Sequence, residues 1–314
     1  MTPKARKQFA QHWLRSEKAL NQIVKAADLQ PSDRLLEIGP GTGVLTRRLL
    51  AEVESVVAVE IDRDLCQRLV KSFGQNENFL LLQGDILSLN LHQHLTAFEK
   101  FQHPNKVVAN IPYNITGPIL QTLLGTIAQP VNPAFELIVL LVQKEVAQRL
   151  CAKPGSKAFG ALSVRVQYLA DCDWICDVPA IAFSPPPKVD SAVVRLRPRL
   201  IAPSADNPQQ LETLVKLGFA SKRKMLRNNL KSVCDRDKIN QLLEQVDSHP
   251  QARAEDLSVS QWVALANRLN GTVGEAGEAG GAGGAEGAGE AGEAGGAEEA
   301  GGAEEAGGAG RAGN

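Results

Sequence analysis

The chain contains no apolar run approaching the roughly 20 residues of a membrane span. Its basic start, TPKARKQFAQHW, is not followed by an apolar core of signal-peptide length. These two absences set the expectation of a soluble, cytoplasmic protein without membrane contact. Cysteine is scarce and odd in number: Cys66, Cys151, Cys172, Cys176 and Cys234. Cys172 and Cys176 stand near each other, but no second pair has metal-ligand spacing, so neither a disulfide framework nor a metal site is expected. The histidines His12, His92, His94 and His103 have no evident nucleophile beside them in the sequence, which speaks against a hydrolase triad. From Gly271 onward no apolar side chain is larger than the lone Val273, and 18 of the 28 glycines lie there. A segment of Gly, Ala and Glu cannot repay its ordering entropy, so residues 271–314 are expected to be a disordered acidic tail.

What is present reads differently once that tail is set aside. The whole chain carries 34 basic and 35 acidic side chains; the tail holds nine Glu and one Arg, leaving 33 against 26, a net of +7, for residues 1–270. A basic body suits an anionic partner such as nucleic acid. Along this body, short apolar strands alternate with helical stretches: RLLEIG, SVVAVEID, NFLLLQGDI, KVVANIPY and FELIVLLV, with helices between them. Alternation of this kind predicts a parallel, doubly wound α/β sheet. Ligands of such sheets bind at the carboxyl ends of the strands, and there the polar residues collect: Glu37 and Gly39, Glu60, Asp85 and Asn110.

The glycines at 39, 41 and 43 do not match G-x-G-x-x-G, and Glu37 stands just before them, unhelpful beside a pyrophosphate. Glu60 lies where an acidic residue would bind ribose hydroxyls, so a nicotinamide oxidoreductase competes at this point. Asp85 adds an acceptor for an adenine amino group. Close backbone approach at Gly39 and Gly41, a ribose acceptor and an adenine acceptor together suit S-adenosylmethionine, which has no phosphate.

The stretch VVANIPYNI gives the chemistry. The exocyclic amine of adenine is a poor nucleophile because its lone pair is delocalised into the ring. Two acceptors aimed at its N–H groups favour a pyramidal nitrogen, and the Asn110 oxygen with a carbonyl near Pro112 can supply them. Pro112 stiffens the turn, and Tyr113 offers a flat face for a base drawn from its stack. Positioning and oriented dipoles suffice where the methyl group is already activated. Phe183, just before the stiff run SPPPKVD, could close on the opposite face of the base.

With these motifs assembled, the chain resembles the ribosomal RNA adenine N6-dimethyltransferase family. The resemblance covers about residues 4 to 268 and rests on ARKQFAQHWL, LEIGPGTGVLT, VVAVEIDRDL, GDIL, VVANIPYNIT, KAFGALSV, AFSPPPKVDSAVVRL and ASKRKMLRNNL, in that order. It looks most like the members that act on the small-subunit (16S) rRNA. The resemblance implies a Rossmann-like class I S-adenosylmethionine-dependent methyltransferase that dimethylates two adjacent adenines in the 3′-terminal hairpin of that RNA, within the assembling small ribosomal subunit. It places cofactor contacts at His12, Leu14, Gly39, Glu60, Asp85 and Asn110, and target-adenine contacts at Asn110, Tyr113 and Phe183. The family's first motif often has glycine where Ala10 stands and asparagine where His12 stands.

The expected organisation is a methyltransferase domain at 1–200, a small helical RNA-contacting domain at 206–270 and the tail at 271–314, in a monomer. Candidate phosphate contacts are Arg6, Lys7 and Lys188, and Lys222, Arg223, Lys224 and Arg227 of a basic run that continues to Lys231 and is spaced to place several charges on one helix face. Competing readings are a large-subunit rRNA adenine methyltransferase of the antibiotic-resistance type, a DNA adenine methyltransferase, and a non-catalytic ribosome-assembly factor. The last predicts a damaged acceptor motif, whereas NIPY, both glycines, Glu60 and Asp85 are intact.

Overall fold

A computed structural model describes residues 11–199 and 202–278. In chain order its elements are β1 (Trp13–Leu14), α1 (Glu17–Ala27), β2 (Arg34–Ile38), α2 (Thr46–Leu49), β3 (Ser55–Glu60), α3 (Arg63–Phe73) and β4 (Phe79–Gln83). There follow α4 (Leu91–Leu95), β5 (Lys106–Asn110), α5 (Thr116–Leu124), β6 (Leu137–Gln143), α6 (Lys144–Leu150), α7 (Ala161–Leu169) and β7 (Ala170–Val178). The chain continues through β8 (Phe183–Ser184), β9 (Ser191–Pro198), α8 (Pro208–Gly218), α9 (Leu226–Asn229), α10 (Arg236–Gln245) and α11 (Val259–Glu278).

Seven strands form one sheet in the order β4-β3-β2-β5-β6-β9-β7. The central strands are apolar on both faces, as a sheet covered on both sides requires. Side chains alternate between two cores. Leu36, Val57, Val107, Ile138 and Val194 face α5 and α7. Leu35, Val56, Val108, Val139 and Val193 face α1 and α2. The apolar side chains of α8 to α11, among them Leu211, Leu214, Leu243 and Trp262, belong to the first of these cores. At the amino-terminal edge of the sheet, Lys106 of β5 reaches across to Asp33, Nζ to Oδ2 2.7 Å, both nearly fully buried.

Strand order reverses between β2 and β5, which opens the crevice where such folds bind ligands. The expectation of a parallel sheet needs one correction. β9 runs against the others and pairs antiparallel with β6 and with β7. The physical reason lies in its connection: residues 179–190 contain no α-helix, and a parallel return needs a crossover, usually helical. The reversal brings Ser191, the first residue of β9, opposite Gln143 and Val178, the last residues of its two neighbours.

The shared helix face expected for the basic run is also corrected. α8 ends at Gly218, and residues 219–225 turn before α9 begins. Gly218 is packed so tightly that a Cβ there would meet Trp262 Cη2 at 2.4 Å. Lys222, Arg223 and Lys224 therefore project from a turn. The last helix runs to Glu278; residues 279–314, the remainder of the expected disordered tail, lie outside the described residues, as do Arg6 and Lys7. Among the described residues no helix is long and apolar enough to cross a membrane.

Candidate active site

A cavity of about 300 Å³ opens at the carboxyl ends of β2, β3, β4 and β5. Its lining includes His12, Leu14, Gly39, Gly41, Glu60 and Asp85. Asn110, Pro112 and Tyr113 line it as well, so it gathers nearly all the candidates from four separate strand ends.

The glycine loop does what its spacing suggests. Gly39 and Gly41 have φ of +66° and +58°, a region that costs other residues strain. A Cβ on Gly41 would stand 3.5 Å from the Trp13 ring, already at contact distance. Glu60 is fixed from two sides: the Gly41 amide donates to Oε2 at 3.1 Å and the Asp62 amide to Oε1 at 2.9 Å. Burial raises its pKa, and these amides work against that rise. The Asp85 carboxylate accepts from the Leu87 amide at 3.0 Å, so it closes a turn and lines the cavity at once.

Asn110 ends β5, and its Nδ2 donates to the backbone carbonyl of His12 at 3.4 Å. This bond leaves the Oδ1 of the amide as the acceptor on offer. The His12 carbonyl is itself held because β1 pairs with β8, Trp13 opposite Ser184 and Leu14 opposite Phe183. The His12 ring donates from Nδ1 to the Pro185 carbonyl at 2.8 Å and stacks on Tyr113, centroids 5.8 Å apart. The Tyr113 hydroxyl shares a 2.7 Å hydrogen bond with Ser191 Oγ. Burial raises the phenol's pKa, so the ring stays neutral.

The structure does not bring Phe183 to the cavity. It is 4% exposed, packed in the core on the α1 face, and absent from the lining. Lys188 is exposed on the segment that precedes β9. Lys222 bonds to the Lys157 carbonyl and lies 3.4 Å from Glu255, and Arg227 reaches Asn240. Arg223 and Lys224 are exposed. All five cysteines are unpaired; burial pushes Cys66 and Cys151 up to about 11 and Cys172 to about 12, which makes them unreactive thiols.

Sequence reasoning placed Glu37 at the strand ends but gave it no contact with a ligand. It lines the cavity at 1% exposure, and its Oε2 has no hydrogen-bond partner among the described residues. Burial pushes its pKa up to about 8; Thr46 works against the rise and Glu60 adds to it. Its place directly before the glycine loop was read only as an argument against a pyrophosphate, and its burial is what adds it to the site. Trp13 was missed, because a two-residue strand has no periodicity to read.

Among the described residues the lining contains three carboxyl groups, Glu37, Glu60 and Asp85, and no lysine or arginine. That set is hostile to a pyrophosphate and fits an adenosine carrying positive charge. An orphaned buried carboxylate oxygen at Glu37 fits a ligand that brings its own cationic or donor group. The residues present therefore fit S-adenosylmethionine.

Comparison with known proteins agrees. The family model described as ribosomal RNA adenine dimethylase matches residues 2–271. A protein of Trichormus variabilis named ribosomal RNA small subunit methyltransferase A is 71% identical over 264 residues, covering 84% of this chain and 97% of that protein. A protein of the same name from Synechococcus elongatus is 59% identical over 272 residues, covering 87% and 98%. Among solved structures, a dimethyladenosine transferase from Plasmodium falciparum has a TM-score of 0.68 at 27% identity, covering 83% of this chain and 98% of its own. The 23S rRNA methyltransferase ErmE has a TM-score of 0.64 at 27% identity, covering 82% and 99%. The chain belongs to the ribosomal RNA adenine dimethylase family.

Proposed function

We propose that this protein transfers methyl groups from S-adenosylmethionine to the N6 atoms of two adjacent adenines in the 3′-terminal hairpin of small-subunit rRNA. One observation carries the reading: Asn110 stands at the cavity with Nδ2 committed to the His12 carbonyl, leaving Oδ1 to accept. When bound, S-adenosylmethionine supplies a methyl group already activated on a sulfonium. Glu60 would hold the ribose hydroxyls, Asp85 the adenine amino group, and the backbone at Gly39 and Gly41 would allow close approach. Asn110 Oδ1 and a carbonyl near Pro112 would accept from the two N–H groups of the target amine and direct its lone pair inward. Tyr113 would support the base with its face. Phe183 would contribute from the core, by holding β8 against β1. No ionised base is required, because positioned acceptors supply the orientation.

Small-subunit RNA is favoured over large-subunit RNA by the relative at 71% identity; the two solved structures, nearly equal in similarity, do not separate them. The substrate would be the RNA within an assembling small subunit in the cytoplasm, met by a monomer. Residues 206–270 would be the RNA-contacting region, with Arg223 and Lys224 on phosphates, and Lys188, Arg6 and Lys7 of the methyltransferase domain joining them. The test is methyl transfer to small subunits lacking the modification, to large subunits and to duplex DNA, with digestion to nucleosides. N6,N6-dimethyladenosine from small subunits alone is expected. Label in large subunits or DNA would overturn the substrate assignment.

A further inference from the structure

The reversed strand β9 has a consequence for the target-base platform. In a sheet whose other strands all run one way, only a reversed strand presents its first residue at the carboxyl edge, where the cavity lies. That first residue is Ser191, fully buried and fixed by ladder pairing on both sides, to Gln143 of β6 and to Val178 of β7. Its backbone cannot shift without breaking two ladders. Its hydroxyl meets the Tyr113 hydroxyl at 2.7 Å. Tyr113 itself sits in a short turn after Pro112, where no strand or long helix fixes it. The opposite constraint comes from His12, whose ring lies nearly parallel to Tyr113, 18° between planes, and is anchored at the Pro185 carbonyl.

We propose that Ser191 is a positioning residue for methyl transfer: its hydroxyl, carried on the reversed strand, fixes the tip of the Tyr113 ring while the His12 ring sets its plane, so that the face against which the target base is held stays in place. The inference rests on the functional reading above. Ser191 touches neither the donor nor the base. It acts through the phenol, whose ring would otherwise swing about χ1 and meet the base at a range of positions. A neutral phenol preserves the bond across the working pH range, in keeping with its raised pKa. The hydroxyl at Ser191 thus sets a rate, while donor affinity is left to Glu60 and Asp85.

The test uses Ser191→Ala and Tyr113→Phe, which delete the same bond from its two ends, and the double variant. Each single variant is expected to lower kcat for small-subunit methylation by about fivefold, the range a lost neutral hydrogen bond allows, with KM for the methyl donor unchanged. The double variant is expected to be no worse than either single, because the bond is already gone. Multiplying losses, or a Ser191→Ala enzyme with wild-type kcat, would overturn the proposal. A second measurement is independent of activity. The chain has two tyrosines, so their ring resonances separate readily. Ser191→Ala should shift the signals of Tyr113 and His12 and leave Tyr168 in place; unchanged Tyr113 signals would overturn the proposal. Wild-type enzyme inactive on small subunits would overturn the functional reading instead, and the ring signals would still decide the role of Ser191.

Discussion

The imidazole of His12 lies 5.8 Å from the ring of Tyr113 at an angle of 18°, two residues far apart in sequence that together form one wall of the cavity. Stacked rings contribute about 0.5–1.5 kcal/mol beyond their burial. His12→Ala should therefore lower kcat/KM for RNA by about three- to tenfold, and His12→Phe should recover part of the loss. Steady-state methylation of small subunits checks this. A wild-type kcat/KM in His12→Ala would detach the histidine from the platform.

Glu37 makes stability depend on pH. Its carboxyl titrates near 8 in the folded protein because burial disfavours the charge, against 4.5 when unfolded. Between those values the unfolded chain has released a proton that the folded one retains. The contribution to stability is fully present below about pH 4.5 and is lost as pH rises through 8. Glu37→Gln should flatten the fall of the thermal midpoint across that window. A cationic methyl donor favours the ionised carboxylate, so donor affinity should rise with pH towards 8 in the wild type and lose that dependence in Glu37→Gln. Calorimetric titration at several pH values reads the second effect.

The Lys106–Asp33 pair should matter to folding and little to chemistry. The two groups meet at 2.7 Å, and Lys106 also donates to the Asp28 carbonyl. Removing one partner strands a buried charge, at a cost of about 3–5 kcal/mol. Asp33→Ala should lower the urea midpoint accordingly, while replacement of both by apolar residues should recover much of it. Equal losses in the single and double variants would argue against an uncompensated charge.

For RNA affinity the exposed pair Arg223 and Lys224 should count for more than Lys222, which is already engaged by Glu255 and the Lys157 carbonyl. Each phosphate contact contributes about one unit to the slope of log affinity against log salt. Arg223→Ala and Lys224→Ala should each reduce that slope by about one unit, and Lys222→Ala by less. Binding measured between 50 and 200 mM salt, roughly the range over which counterion release is read, would show it.

The strand ends were legible because each is a local pattern: an apolar run stopped by Gly39, Glu60, Asp85 or Asn110. Those four converge on the cavity. What sequence reasoning missed depends on distant partners. The direction of β9 follows from the helix-free connection 179–190 that leads into it, and nothing within SAVVRLR encodes it. The pairing of Trp13–Leu14 with Phe183–Ser184 joins segments from opposite ends of the domain. The basic run falls on the turn at 219–225 between α8 and α9, and nothing in its own charge spacing marks that turn. Phe183 could be given to the base or to the core from its neighbours alone; only packing places it opposite Leu14, in the same α1-face core as Ile23.

The most direct measurement compares wild type with Asn110→Ala in methyl transfer to small subunits lacking the modification, with donor binding followed in parallel. The wild type should yield N6,N6-dimethyladenosine. Asn110→Ala should lose about a hundredfold in rate, as removal of one preorganised polar contact does in comparable sites, while still binding the donor. Dimethyladenosine formed by Asn110→Ala at the wild-type rate would contradict the assignment of Oδ1 as the acceptor that directs the amine.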